Sequence, residues 1–103
     1  FFDRTTRWMT ERELGWFVAL CYLDVVNEDT IRAVLGESED AAAVQRWFEH
    51  EASIRDPVAP VFTIRPLIRE KSLRYLEARS PSRHRAMVER ASPGHAAPEA
   101  DAS

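Results

Sequence analysis

The sequence predicts a mainly α chain with one small β-hairpin late in its length. Three observations lead there. Helix-start residues precede apolar stripes of helical period at Thr10, at Asn27 and at Ser38 or Asp40. The period then shortens to two over Val61 to Arg65, just behind the proline-bounded "PVAP" (Pro57 to Pro60). Pro66 follows at once and opens another helical run.

"TERE" (Thr10 to Glu13) reads as a capping box, with Thr10 accepting from the Glu13 N–H and the Glu13 carboxylate reaching back. Leu14, Phe17, Val18, Cys21 and Tyr22 then recur at helical spacing and form one apolar stripe. Ala19, Leu20 and Leu23 widen it, so this helix is expected at the centre. The next helix is short. Asn27 is its N-cap, Gly36 its left-handed C-terminal residue, and Val26 with Ile31 its staple. Ile31, Val34 and Leu35 make its buried face. A third helix runs to about Ala52 on Val44, Trp47 and Phe48, with Ala41 to Ala43 supplying propensity.

"SIRD" (Ser53 to Asp56) and "VFTIR" (Val61 to Arg65) are the expected hairpin arms. Alternation puts Phe62 and Ile64 on one side and Val61, Thr63 and Arg65 on the other. Pro66 suits the first position of a fourth helix, where its missing N–H costs nothing. Ile68, Leu73, Tyr75 and Leu76 carry its apolar contacts, and Glu70 with Arg74 is an i,i+4 pair. "SPS" (Ser80 to Ser82) breaks that helix or restarts it, with Ser80 as cap, toward Ala91 on Ala86, Met87 and Val88. The tail after it lacks large apolar side chains and is expected to be disordered. The expected divisions are an N-terminal extension over 1–9, one domain over 10–91 and the tail over 92–103.

Three helices, a hairpin and C-terminal helices is the plan of a winged helix-turn-helix. A plain helical bundle, in which Ile54 to Ile64 is an irregular loop, is the second architecture the pattern allows.

The chain has 103 residues, 45% apolar and 30% charged, as in one globular domain with a modest core. No apolar run approaches the roughly 18 residues of a membrane span. "FFDRTTRW" carries charges where a signal peptide is apolar. The first residue, Phe1, reads as the start of a piece cut from a longer chain. One cysteine, Cys21, allows no internal disulfide, and a reducing, cytoplasmic setting is expected. The net charge of −3 hides an asymmetry. Thr10 to Asp56 holds four basic against eleven acidic residues, and Arg65 to Arg90 eight against three. The first part repels nucleic acid; the second can attract an acidic partner, or the two neutralise each other across one fold.

"YLDVVNEDTIRAVLG" (Tyr22 to Gly36), "FTIRPLIRE" (Phe62 to Glu70) and "SPSRHRAMVERA" (Ser80 to Ala91), in this order, resemble the winged-helix domain of the bacterial signal-transduction ATPases with numerous domains. The resemblance runs from about Thr10 to Ala91. It implies a regulatory, non-catalytic module that follows a nucleotide-binding domain and helps hold it closed. In that family a His-Pro-Leu junction places its histidine on the β-phosphate of ADP. Arg65 stands at that position here, with Arg69 one turn on. Arginine also suits phosphate, so ADP or ATP contact is expected only beside a neighbouring ATPase domain. This chain has no phosphate-binding G-x-x-x-x-G-K-[ST] loop of its own.

The alternative function is a DNA-binding winged helix, with Gln45, Arg46 and His50 on the third helix and Arg55 beside the wing. The acid-leaning charge of that helix opposes it. A free-standing interaction domain is a third reading. Arg69, Lys71, Arg74, Arg79, Arg83, Arg85 and Arg90 spread around their helices rather than forming one stripe. His50, His84 and His95 show no zinc spacing. Cys21 reads as a core thiol, and no nucleophile stands beside a base. Trp47 is expected in the core. Trp16, with Arg74 a candidate interaction residue, falls off the main stripe. It either faces another domain or packs against the N-terminal segment with Trp8.

Overall fold

The computed structural model describes residues 2–92. Of the tail expected to be disordered, the residues after Ser92, His95 among them, lie outside the described residues. Six helices follow one another: α1 (Phe2–Thr6), α2 (Glu11–Leu20), α3 (Glu28–Leu35), α4 (Ala41–Glu49), α5 (Pro66–Arg79) and α6 (Pro81–Ala91). Among the described residues no helix is long and apolar enough to cross a membrane.

Local chemistry sets most of the helix ends. Thr10 Oγ1 accepts from the Glu13 N–H, and Glu13 Oε1 accepts from the Thr10 N–H at 2.9 Å. Asn27 and Thr30 form the same reciprocal pair at the start of α3. Gly36 ends α3 at φ 81°, a conformation that a Cβ would strain, and its N–H returns to Arg32 O. Asp40, rather than Ser38, caps α4 through the Ala42 and Ala43 N–H groups. Pro66 and Pro81 each open a helix. Ser80 joins α5 to α6, giving its N–H to Leu76 O and accepting from His84 N.

The helices enclose one core. Phe17, Leu20, Cys21, Val26, Ile31, Val34, Val44, Phe48, Ile54 and Ile64 are its most enclosed apolar members. α3 packs on α2 and α4, and α6 on α3 and α5. The residues read as an N-terminal extension include α1, which joins this body. Phe2 is buried and stacks on Tyr75 of α5 at 4.4 Å, with the Phe17 ring 6.2 Å away.

The expected β-hairpin is not there, and with it goes the two-stranded wing. Among the described residues there is no strand, and one isolated antiparallel bridge joins Arg55 to Ile64. Two hydrogen bonds flank it, Asp56 N–H to Thr63 O and Arg65 N–H to Ile54 O, each 2.8 Å. Beyond these the ladder has no material. The first arm continues the end of α4 as a turn, its Ile54 and Arg55 N–H groups both returning to Glu51 O. Pro57 and Pro60 supply no donors. The second arm is drawn elsewhere, because Phe62 O accepts from Val26 N–H at 2.7 Å. Without a pleat the predicted facing also fails. Ile64 is buried while Phe62 is 39% exposed. Mainly α holds, and the arrangement is the helical one in which Ile54 to Ile64 is an irregular loop.

Candidate interaction surfaces

Arg65 sits at the N-cap of α5, where its own N–H is held by Ile54 O. Its guanidinium turns back toward the end of α4, and Nη2 donates to Ala52 O at 2.9 Å. The Nε is buried with no hydrogen-bond partner. Arg69 takes a different direction. Its Nε donates to Cys21 O at 2.9 Å, and its Nη1 pairs with Asp24 Oδ1 at the same distance. It therefore closes the C-terminal end of α2, where carbonyls lack helical partners. The two arginines are each spent on a separate segment.

A hydrogen bond from a charged donor to a half-buried carbonyl contributes about 1.5–3 kcal/mol. Asp24 is largely exposed, so its ion pair adds little. Arg69→Ala is therefore expected to lower stability by about 2 kcal/mol. Asp24→Asn should stay within about 0.5 kcal/mol. Urea midpoints at constant slope measure both.

Trp16 makes its ring contacts with Trp47 and Arg12. It is half-buried, its ring edge-on to Trp47 at 5.6 Å, and its Nε1 donates to Glu39 Oε1 at 3.1 Å. Arg12 lies over the ring and also pairs with Glu39 at 3.2 Å. The indole N–H, then Arg12, hold the Glu39 carboxyl below its ordinary range. This cluster ties α2 to the α3–α4 connection. Trp8 is the exposed tryptophan. Arg74 is exposed on α5 and bonds Glu70 at 2.9 Å.

On α4, Gln45 gives its amide to Glu49 and leaves Oε1 buried without a partner. Arg46 is exposed, and His50 Nδ1 lies 2.8 Å from the Arg46 carbonyl, closing the helix end. Arg55 is half-buried at the bridge. Of the four residues of the DNA reading, Arg46 is the exposed guanidinium group, with Glu49 and Glu51 close in sequence, while the Nε of Arg55 is buried without a partner.

Two features were not picked out from the sequence. The first is apolar. Val58, Val61, Phe62 and Leu67 are exposed on the loop before α5 and on its first turn, Val58 at 86% and Leu67 at 61%. The loop has a set shape. Asp56 Oδ1 accepts from Val58 N–H at 3.0 Å, and the bridge and the Val26 bond hold its ends. The apolar residues around the prolines were the available signal, but the hairpin reading grouped Phe62 with Ile64 on one face.

The second is a groove of about 500 Å³ between α1, α2, α5 and α6. Tyr22 and His84 meet on its wall, hydroxyl to Nδ1 at 2.9 Å. Burial raises the Tyr22 pKa, with Cys21 adding to it and Arg83 pulling the other way, so the hydroxyl stays protonated at neutral pH. No local pattern marks a pair 62 positions apart.

No known protein-family model matches the chain, and no curated protein or solved structure matches it either.

Proposed function

We propose that the chain is a non-catalytic helical module that works by protein–protein contact. It docks on a neighbouring domain through the loop at 57–62 and the first turn of α5. The carrying observation is the concentration of exposed apolar side chains there. Val58, Val61, Phe62 and Leu67 are four of the six large hydrophobic residues left exposed on the described chain. Scattered single exposures need no explanation, but a cluster on a held loop is the mark of an interface. A preorganised loop also loses little conformational entropy on docking.

The partner domain, on the resemblance of Tyr22 to Gly36 and Phe62 to Glu70, is the nucleotide-binding part of a signalling ATPase. The docking loop leads directly into Arg65. Its Nε lacks an acceptor but is buried, so an oxygen reaches it only when the joint opens. A phosphate contact by the whole guanidinium requires release of its bond to Ala52. This module binds no nucleotide alone; ADP or ATP is met only with the partner in place.

A pull-down against the ATPase part of the same polypeptide, with ADP present, tests the reading. Val58→Asp and Leu67→Asp should each weaken the contact at least about tenfold, near 1.4 kcal/mol, with the helical circular-dichroism signal intact. No contact by the unaltered module, or a polypeptide without a phosphate-binding loop, overturns the ATPase partnership. Unchanged ADP release in Arg65→Ala full-length protein removes the phosphate role alone.

A further inference from the structure

We propose that the groove between α1, α2, α5 and α6 is a binding site for a small monocarboxylate with an apolar body. Its size, lining and unspent charges each bear on the ligand. About 500 Å³ lies in the range of pockets that hold small organic molecules, roughly 300–1,000 Å³. A second hollow of about 170 Å³, on the α3 side, shares the walls Gly15, Val18, Arg83 and Met87 with it.

The body of the ligand meets Leu14, Val18, Leu76 and Met87. Methionine adapts to irregular apolar shapes. Gly15 lies on the α2 wall of both hollows, and a Cβ built there meets nothing within 4 Å. Helix α2 therefore leaves room where a larger side chain would fill the space.

The carboxylate meets Arg83 and Arg79. Arg83 lines the groove, yet among the described residues it makes no hydrogen bond or ion pair. Arg79 gives Nη1 to the Tyr75 hydroxyl at 3.0 Å and lies over that ring, which leaves its other donors open. Planar guanidinium groups match a carboxylate with paired hydrogen bonds. His84 stands beside them, its Nδ1 engaged by Tyr22 and its Nε2 uncommitted.

The opposite wall sets the charge limit. Asp3 and Glu11 line the groove from α1 and the start of α2, and neither is ion-paired among the described residues. Their charges oppose a second negative charge on the ligand, so a monoanion is favoured over phosphate or a polyphosphate. This site is separate from the docking loop and does not depend on the interaction reading.

Titration calorimetry of the 103-residue chain with octanoate, octan-1-ol and inorganic phosphate tests the proposal. Saturable octanoate binding with a Kd below about 1 mM is expected. Octanol should bind at least tenfold more weakly, and phosphate weaker still. Arg83 is exposed and unpaired, so Arg83→Ala should keep the fold and lower octanoate affinity at least tenfold. Gly15→Leu should abolish binding, while Gly15→Ala keeps the helix. Absence of saturable octanoate binding overturns the proposal. So does octanol binding equal to octanoate, tighter binding of phosphate, or an Arg83→Ala chain that binds as the parent does.

Discussion

Phe17→Ala is expected to remove about 3–5 kcal/mol of stability. A domain of this size has about 5–15 kcal/mol in all, so the variant should stand near the edge of folding. Phe17 is fully enclosed on α2. Its ring lies 6.2 Å from Phe2, which stacks on Tyr75, so one side chain joins α2 to α1 and α5. Truncation to a methyl forfeits the transfer free energy and leaves a cavity that helices on three sides cannot close. The thermal midpoint should fall by roughly 15–30 °C. Val58→Ala is the control. At 86% exposure it contributes little to folding and should stay within about 0.5 kcal/mol. A Phe17→Ala loss below about 1 kcal/mol would show that Phe17 is not enclosed in the cooperative core.

What could be read from the sequence was local. The Thr10 box, the Asn27 cap, Gly36 and Pro66 each act within four residues and appear in the fold as the residue types demand, and the helix restarts at Pro81, although the Ser80 side chain makes no cap hydrogen bond. The stripe on α2 was legible because ten residues give enough turns to reveal a period. The wing was misread for the complementary reason. Five alternating residues suit a strand locally, but pairing is decided by what the other arm's donors are doing. Those of Ile54 and Arg55 are taken by Glu51, and the Phe62 carbonyl by Val26. Helix α1 was invisible because five residues cannot show a stripe, and Phe2 is anchored by a ring on α5. Of the candidate surface, Arg74 is exposed as a solvent-facing pair would be. Trp16 found Glu39 and Trp47, partners that no spacing in α2 could announce. The groove is likewise a product of helix packing, since it brings α1 and α2 together with α5 and α6.

Alkaline pH is expected to unfold this domain through one thiol. Cys21 ends α2 with no exposure, and burial pushes its pKa from the ordinary 9.0 to about 12. The Ser72 hydroxyl, and then Arg69, lower the value only in part. The unfolded chain, with its thiol in water, loses this proton first. Above pH 9 it binds fewer protons than the folded chain, so stability falls as pH rises, by about 1.4 kcal/mol per pH unit. The contribution is complete below about 9 and lost on the way to about 12. The drop across that window is on the order of 4 kcal/mol, comparable with the stability of a small domain. Tyr22 adds in the same direction at the upper end, since its hydroxyl is also harder to ionise in the fold. Urea midpoints taken from about pH 8 to about pH 11 should decline steeply in the parent. Cys21→Ala begins lower, because it leaves a small cavity, but its alkaline decline should be much shallower. Equal slopes in the two chains would mean that the thiol is already reachable by water in the fold. The same packing predicts that a thiol reagent labels Cys21 only as fast as the domain opens. Labelling faster than opening would place the C-terminal end of α2 outside the core and remove the physical basis for Arg69 closing it.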